Sequence, residues 1–157
     1  MTARRRAAAA VTALLLVLVV AVAARTAGWP LGLGRHAVAA PGAAASPEEV
    51  VRTYVEAYNH RDFSTMRRIY PSRPYSRRQV LGTMHDLVVV DSRSLTSAED
   101  GNPPVPGRSY HRVRVTLRFS GLLGSDLAYE NGPNGWAYLL ERESSTEPWR
   151  IADHGNP

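Results

Sequence analysis

The chain has 157 residues, a length typical of one domain with an appendage, and it has no cysteine, which excludes disulfides, thiolate nucleophiles and cysteine metal sites. Its 19 basic residues are all arginine and outnumber the 14 acids, giving a net charge of +5. The first 45 residues hold five arginines and no acid, and the remainder holds 14 of each. Because the excess charge lies wholly in the N-terminal segment, the high pI does not indicate a nucleic-acid-binding domain.

An apolar segment lies close to the N-terminus. Residues 7–24 contain a single polar side chain, Thr12. A helix of this length spans ~27 Å, close to the ~30 Å thickness of a bilayer core. Three arginines precede it, so the positive-inside rule predicts a cytoplasmic N-terminus with the rest of the chain outside. We expect a basic cytoplasmic tail at residues 1–6 and a single-pass plasma-membrane anchor at residues 7–27.

A signal peptide is the alternative to an anchor. Small-residue sites of the A-x-A type occur at residues 21–23 and 37–39, and cleavage there would release a secreted domain. Residues 28–45 are rich in glycine, alanine and proline and show no helical stripe, which predicts a flexible tether with no role for His36. In both alternatives the folded domain, residues 46–157, lies outside the cytoplasm.

The domain opens with a well-marked helix. Ser46 is a good N-cap, Pro47 suits the first helical position and Glu49 completes a capping box. Apolar positions then recur at helical spacing: Val50, Val51, Tyr54, Val55 and Tyr58. We expect both tyrosines near the middle of the core-facing side and His60 on the solvent side.

Two shorter helices are expected next. Asp62 can cap the first, which ends before Pro71, and a third helical stretch is expected from Ser76 to Met84. Arginines crowd this region. Four of them form a candidate surface for anionic lipid head groups or an acidic partner: Arg67, Arg68, Arg77 and Arg78.

The second half of the domain predicts strands. Residues 87–95 are apolar and β-branched, and residues 110–119 alternate between apolar and polar side chains, which indicates a sheet with one buried face. The NGPNG motif at residues 131–135 predicts a hairpin turn. Further short strands are expected at residues 127–129, 136–142 and 149–152. Helices followed by antiparallel strands define an α+β domain.

The stretch VVRTYVEAYNHRDFSTMRRIYP and the terminal WRIADHG resemble the nuclear-transport-factor-2-like superfamily, which includes ketosteroid isomerase-like and SnoaL-like proteins. The resemblance covers about residues 46–155. It implies an α+β cone, in which three N-terminal helices pack in a curved antiparallel sheet, here preceded by one N-terminal transmembrane helix. The layout of basic tail, membrane span and external cone also resembles membrane-anchored accessory proteins of actinobacterial transport and conjugation machines. The fold hosts enzymes, binding modules and assembly domains alike.

An enzyme of this superfamily needs an acid or a base inside the cone. The candidate cavity residues are Tyr54, Tyr58, Asp86 and His111, with His85, Tyr110, Asp153 and His154 as further candidates. The competing interpretation is structural: Asp86 ends an element, His111 lies near solvent, and Asp153 and His154 belong to a fraying tail. We favour this second interpretation because the inward positions are mostly hydrocarbon or aromatic.

No metal site is predicted, because the histidines of the domain lack paired ligand spacing, and no cofactor motif is present in the sequence. The sequence favours a membrane-tethered extracytoplasmic domain without a catalytic role, which acts through protein contacts at the cell envelope. Its partner would be an envelope protein or a second copy of the chain, and no nucleic acid is expected. The alternative is a small-molecule binding protein, or an isomerase- or dehydratase-like enzyme, that uses the cone cavity.

Overall fold

The computed structural model describes residues 3–26, 36–73, 82–95, 105–121 and 131–155. Within these residues the chain forms three helices and one four-stranded sheet: α1 (Ala3–Thr26), α2 (Pro47–Asn59), α3 (Phe63–Ile69), β1 (Thr83–Leu95), β2 (Ser109–Ser120), β3 (Gly132–Arg142) and β4 (Arg150–Gly155). The strands follow the order β1-β2-β3-β4, and every pair is antiparallel. The α+β prediction is confirmed, and the arrangement is compatible with a cone-like fold.

Helix α1 holds its described side chains away from the domain core. The valines and leucines between residues 10 and 23 are exposed, Leu14 at 71 %. None of the helices in the described part of the chain is both long enough and apolar enough to cross a lipid bilayer.

Helix α2 begins as its sequence predicts. The Ser46 Oγ accepts a hydrogen bond from the Glu49 amide at 3.2 Å, and the Ser46 amide donates to Glu49 Oε2 at 2.7 Å. This reciprocal capping satisfies amide groups that the first helical turn cannot pair. The apolar stripe then faces the core: Val50, Val51, Tyr54, Val55, Ala57 and Tyr58 are all buried.

The segment that precedes α2 is fixed to the domain over part of its length. Asp62 caps α3 and also accepts a hydrogen bond from the Val38 amide at 2.9 Å. The Val38 carbonyl accepts a hydrogen bond from the Thr65 hydroxyl at 2.8 Å, and the Val38 side chain is buried. Burial raises the pKa of Asp62, but hydrogen bonds from Ser64, Val38 and Thr65 outweigh it and hold that pKa well below its ordinary value. The packed region therefore begins before Ser46, within the stretch for which a flexible tether was predicted.

The inner face of the sheet supplies about half of the buried core residues. On β2, Val113, Val115, Leu117 and Phe119 are almost completely buried. Arg114, Thr116 and Arg118 between them are exposed on the outer face. The predicted alternation of β2 is confirmed, because strand side chains point to opposite faces in turn.

Two local predictions differ from the structure. Residues 76–81 of the predicted third helical stretch lie outside the described residues, but Thr83 and Met84 at its end belong to β1. The NGPNG motif does not form a turn, since β3 already begins at Gly132, which pairs with Phe119. Pairing along the whole length of β2 overrides the local turn preference of the motif. The strand expected at residues 127–129 lies outside the described residues.

Candidate functional site

A bulge in β4 determines which of its side chains face the helices. Leu140 pairs with Ile151 and Leu139 pairs with Asp153, so that Ala152 is an extra residue without a partner in the ladder. An extra residue shifts the alternation of side chains by one position. Ile151 and His154 therefore both face the inner side of the sheet, while Asp153 is exposed.

The inward His154 is held by two partners from the end of α3. Its Nδ1 lies 2.8 Å from the Tyr70 hydroxyl, and its Nε2 is hydrogen-bonded to the Arg73 guanidinium. The ring also stacks on Tyr138, with 6.3 Å between centroids, and contacts Trp136 at 5.3 Å. We call Tyr70, Arg73, Trp136, Tyr138 and His154 the His154 cluster.

The partners of His154 fix its protonation state. Burial, followed by the positive charge of Arg73, lowers the pKa of His154 to about 4, although Asp153 opposes the shift. The ring is therefore neutral near pH 7. Because a guanidinium only donates hydrogen bonds, Nε2 must accept, which places the proton on Nδ1, where it is donated to the Tyr70 oxygen.

The His154 cluster continues into a filled aromatic core. Tyr54 meets Tyr70 and Tyr138 edge to face, at centroid distances of 6.2 and 6.0 Å. Tyr54 is fully buried, and Tyr58 on the next turn of α2 is 5 % exposed. These two predicted cavity residues are thus part of the packing between α2 and the sheet. Both nitrogens of His154 are occupied, and the cluster joins the end of α3 to the end of β4.

His111 lies at the other end of the inner face and is half-buried. Its Nε2 is 2.8 Å from the Ser92 hydroxyl, its Nδ1 is 3.3 Å from the Ser94 hydroxyl, and its ring contacts Trp149. Burial is the main cause that lowers the pKa of His111, with Arg142 acting in the same direction.

The hydroxyl beside His111 is not arranged as a nucleophile. Ser92 donates its proton to Glu48, and this hydrogen bond is the main reason why the pKa of Glu48 is lowered. An activated serine instead gives its proton to the imidazole, which in turn is oriented by a carboxylate. In this structure Glu48, Ser92 and His111 join the start of α2 to β1 and β2.

Asp86 does not line the inner face. A bulge between His85 and Val88 interrupts β1, and Asp86 within it has a φ of 54°, a left-handed conformation. Its side chain is 76 % exposed and lies 3.7 Å from Arg118 on the outer face. His85 is also exposed and contacts the hydroxyls of Thr83 and Ser120. The irregular strand thus turns this pair of candidates away from the core.

A groove with a basic rim lies between α3 and β4. It has a volume of about 300 Å³. We call it the arginine groove, and its described lining is Ala40, Pro41, Arg67, Arg68, Ile69, Pro71, Pro148, Trp149 and Arg150. Two of the four predicted anion-binding arginines, Arg67 and Arg68, are exposed on α3 and line it, whereas Arg77 and Arg78 lie outside the described residues. The lining residues include three arginines and no acid.

No family model matches the chain, and neither the curated proteins nor the solved structures provide a match.

The sequence does not predict that Arg73, one of the crowded arginines, contacts His154. It also assigns no site role to Trp149 and Arg150, which complete the arginine groove. His154 is a further cavity candidate whose competing interpretation is a fraying tail, but it lies in β4. Simple alternation from Ile151 would also have placed it on the outer face, because an unpaired bulge residue leaves no mark in a single sequence.

Proposed function

We propose that this chain is a membrane-tethered, extracytoplasmic domain without a catalytic role, which acts through protein contacts at the cell envelope. In this proposal the arginine groove receives an acidic segment of the partner protein. The observation that carries it is the composition of the groove, whose described lining combines three arginines with prolines and a tryptophan and includes no acid, although Glu147 outside the lining lies 4.0 Å from Arg150.

The chemistry of the groove favours a peptide segment with carboxylates. Arginine binds carboxylates through two parallel hydrogen bonds, and such charge-assisted bonds are stronger than those between neutral groups. Pro41, Pro71 and Trp149 contribute apolar lining, which adds contact area to the charge pairing. A volume near 300 Å³ is at the lower limit of ligand pockets and suits a few side chains of a bound segment.

The two inner histidines support a role without catalysis. A general base needs a free lone pair, and the Nε2 lone pair of His154 is engaged by Arg73. At His111, the neighbouring Ser92 passes its proton to Glu48 instead of to the imidazole. Both constellations connect secondary-structure elements in the described part of the chain.

The apolar segment near the N-terminus supports the proposed location of the domain outside the cytoplasm. Residues 7–24 are apolar and follow three arginines, and a helix that is apolar on all sides requires a membrane or another apolar cover. The exposed valines and leucines of α1 have this character. Although no helix in the described part of the chain meets the length and hydropathy of a membrane span, the proposal takes the whole of residues 7–24 as a transmembrane anchor, or as a signal peptide that is later removed. The cone of the nuclear-transport-factor-2-like superfamily remains our proposal for the domain, supported by helices that pack on one face of an antiparallel sheet.

The test compares charge removal in the groove with equal charge removal elsewhere. Arg67→Gln with Arg68→Gln removes two charges from the arginine groove, and Arg114→Gln with Arg118→Gln removes two from the outer sheet face. After cross-linking in intact cells, we expect the groove variant to lose its cross-linked protein and the control to retain it. Equal recovery with both variants contradicts the proposal, and so does the recovery of phospholipid alone.

A small-molecule site on the inner face is the second candidate function. It is favoured by one observation: a neutral, half-buried imidazole whose pKa is lowered lies beside a bulged strand, a combination often found near active sites. A displaced Arg73 would expose the Nε2 lone pair as a base for isomerase- or dehydratase-like chemistry. A crystal structure with ligand in place of the Arg73 guanidinium would support this function over the first.

A further inference from the structure

One set of side chains, separate from the arginine groove and the His154 cluster, has the composition of a metal site. His36, Glu56 and His60 each offer one ligand atom, and these atoms all lie within 4.8 Å of one another. The two imidazole rings are in contact, with centroids 3.5 Å apart. We propose that these three side chains bind a divalent transition-metal ion of the zinc type.

Helix α2 brings two of the ligands together. Glu56 and His60 are four residues apart, and the His60 amide donates to the Glu56 carbonyl at 3.0 Å. Residues with this spacing are neighbours on one side of a helix. That side is opposite to the buried tyrosines, since Glu56 is exposed and His60 is half-exposed. The C-terminal end of α2, with its C-cap His60, therefore presents a carboxylate and an imidazole to solvent.

The third ligand comes from the segment that precedes α2. His36 lies two residues before Val38, whose amide is bonded to Asp62 and whose carbonyl is bonded to Thr65. The buried Val38 side chain adds a third point of attachment. Since His36 is so close to a fixed residue, its reach is restricted to the neighbourhood of α2. Folding therefore already restricts much of the conformational freedom of His36 that metal binding would otherwise have to restrict.

The ligand set selects the kind of metal. Two imidazole nitrogens and one carboxylate are the ligands of zinc sites that keep one position open for water or another group. Bonds of ~2.0–2.2 Å place the ligand atoms of a tetrahedral site about 3.3 Å apart. The three side chains are exposed or half-exposed, so core packing does not oppose the rotations that closing the remaining gap requires. Imidazole also favours Zn²⁺, Co²⁺, Ni²⁺ and Cu²⁺ over Mg²⁺ and Ca²⁺.

A bound ion would fasten the start of the packed region to α2. His36 and His60 are 24 positions apart in the chain, which is why the spacing of histidines in the sequence predicts no metal site. The ion would fix the direction in which the N-terminal segment joins the domain. None of the three ligands lines the arginine groove, so the metal site and the proposed partner contact can fail independently.

The test is a titration of the full chain in detergent with CoCl₂ alone, because Co²⁺ reports its coordination by visible absorption. We expect one equivalent to bind with the spectrum of a low-coordinate site, and ZnCl₂ to displace it. Saturating ZnCl₂ should raise the melting temperature by several degrees, since a ligand that binds only the folded state stabilises it. Absence of both the cobalt spectrum and the thermal shift at millimolar metal overturns the proposal.

Single substitutions locate the site. His36→Gln, Glu56→Gln and His60→Gln should each weaken cobalt binding by about tenfold or more. His85→Gln is the matched control, because His85 is an exposed imidazole outside the cluster, and it should leave the affinity unchanged. If His85→Gln weakens binding as much as the ligand variants do, the binding is unspecific and the proposal is wrong. Glu56→Gln alters one exposed side chain and provides the test if a histidine variant does not fold.

Discussion

Acidification should destabilise the wild-type domain more than the His154→Gln variant, because only the wild type carries the buried imidazole of His154. The pKa of His154 is about 4 in the folded chain, against an ordinary value of 6.5, because burial and Arg73 both disfavour the charged ring. Between these values the unfolded chain binds more protons than the folded chain. Stability is therefore present above pH 6.5 and is lost as the pH falls towards 4.

The size of this effect follows from the separation of the two pKa values. At 1.36 kcal/mol per pKa unit, the full separation corresponds to about 3 kcal/mol. The ring is only half-buried, so solvent screening reduces the expected loss to about 2 kcal/mol between pH 7 and pH 4.5. For a domain that is stable by ~5–15 kcal/mol, this is a measurable share of the total.

The assay is urea unfolding of the wild type and His154→Gln at pH 7, 5.5 and 4.5. Glutamine carries a polar side chain without titrating in this range, so the difference between the two proteins isolates the imidazole from the carboxylates and from His111. We expect the advantage of the wild type over the variant to shrink by about 2 kcal/mol on acidification. An advantage that stays constant, or grows, would refute the buried, neutral His154 on which the cluster depends.

Three further predictions concern the stability of the domain near pH 7, each measured by urea unfolding. Asp62→Ala should cost about 1–2 kcal/mol, because it removes the cap of α3 and the partner of the Val38 amide, and a cost below about 0.3 kcal/mol would contradict the attachment of that segment. Leu140→Ala should cost about 2–5 kcal/mol because Leu140 is fully buried, whereas Val90→Ala at an exposed position should change the free energy of unfolding by no more than about 0.5 kcal/mol. Similar costs at both sites would contradict the assignment of Leu140 to the buried face and Val90 to the exposed face. Ser46→Ala should cost about 1 kcal/mol through loss of the capping box, and an unchanged midpoint would count against that cap.

Much of the fold could be predicted because its signals are local. The cap of α2 depends on Ser46 and Glu49, which are three residues apart, and the buried stripe of α2 follows the helical period. The alternation of β2 is equally local, since the face of each residue depends on its immediate neighbours. These features are encoded within one or two turns of chain, and the structure agrees with them.

The remaining features depend on partners that are distant in sequence. The bulge at Ala152 lies in the pairing of β4 with β3, and it turns His154 towards the inner face of the sheet. The attachment of Val38 requires Asp62 and Thr65, at least 24 positions away, so composition suggested a tether where part of the segment is packed. The NGPNG motif likewise became strand because β2 offers a long edge for pairing. Local patterns carry no information about such long-range pairing.

The arginine groove depends on a local signal in the sequence and also on contacts between distant residues. Arg67 and Arg68 were identified as a basic surface from their density in the sequence, but their neighbours Trp149 and Arg150 lie more than 80 positions further along the chain. The fold converts a basic stretch of helix into a groove with apolar lining. Because the groove offers a defined shape as well as positive charge, it favours an acidic peptide segment over a diffuse anionic surface.

The proposed contact is tested most directly by photo-cross-linking from inside the groove in intact cells. A photoreactive amino acid replaces the exposed Pro71 of the groove in one variant and the exposed Thr116 of the outer sheet face in a control. We expect the Pro71 variant to cross-link one envelope protein, through a peptide rich in aspartate and glutamate, and high salt added before irradiation of isolated membranes to reduce the yield. Cross-links that arise equally from the Thr116 variant, or that reach a neutral or basic peptide, would contradict the groove as the site of partner binding.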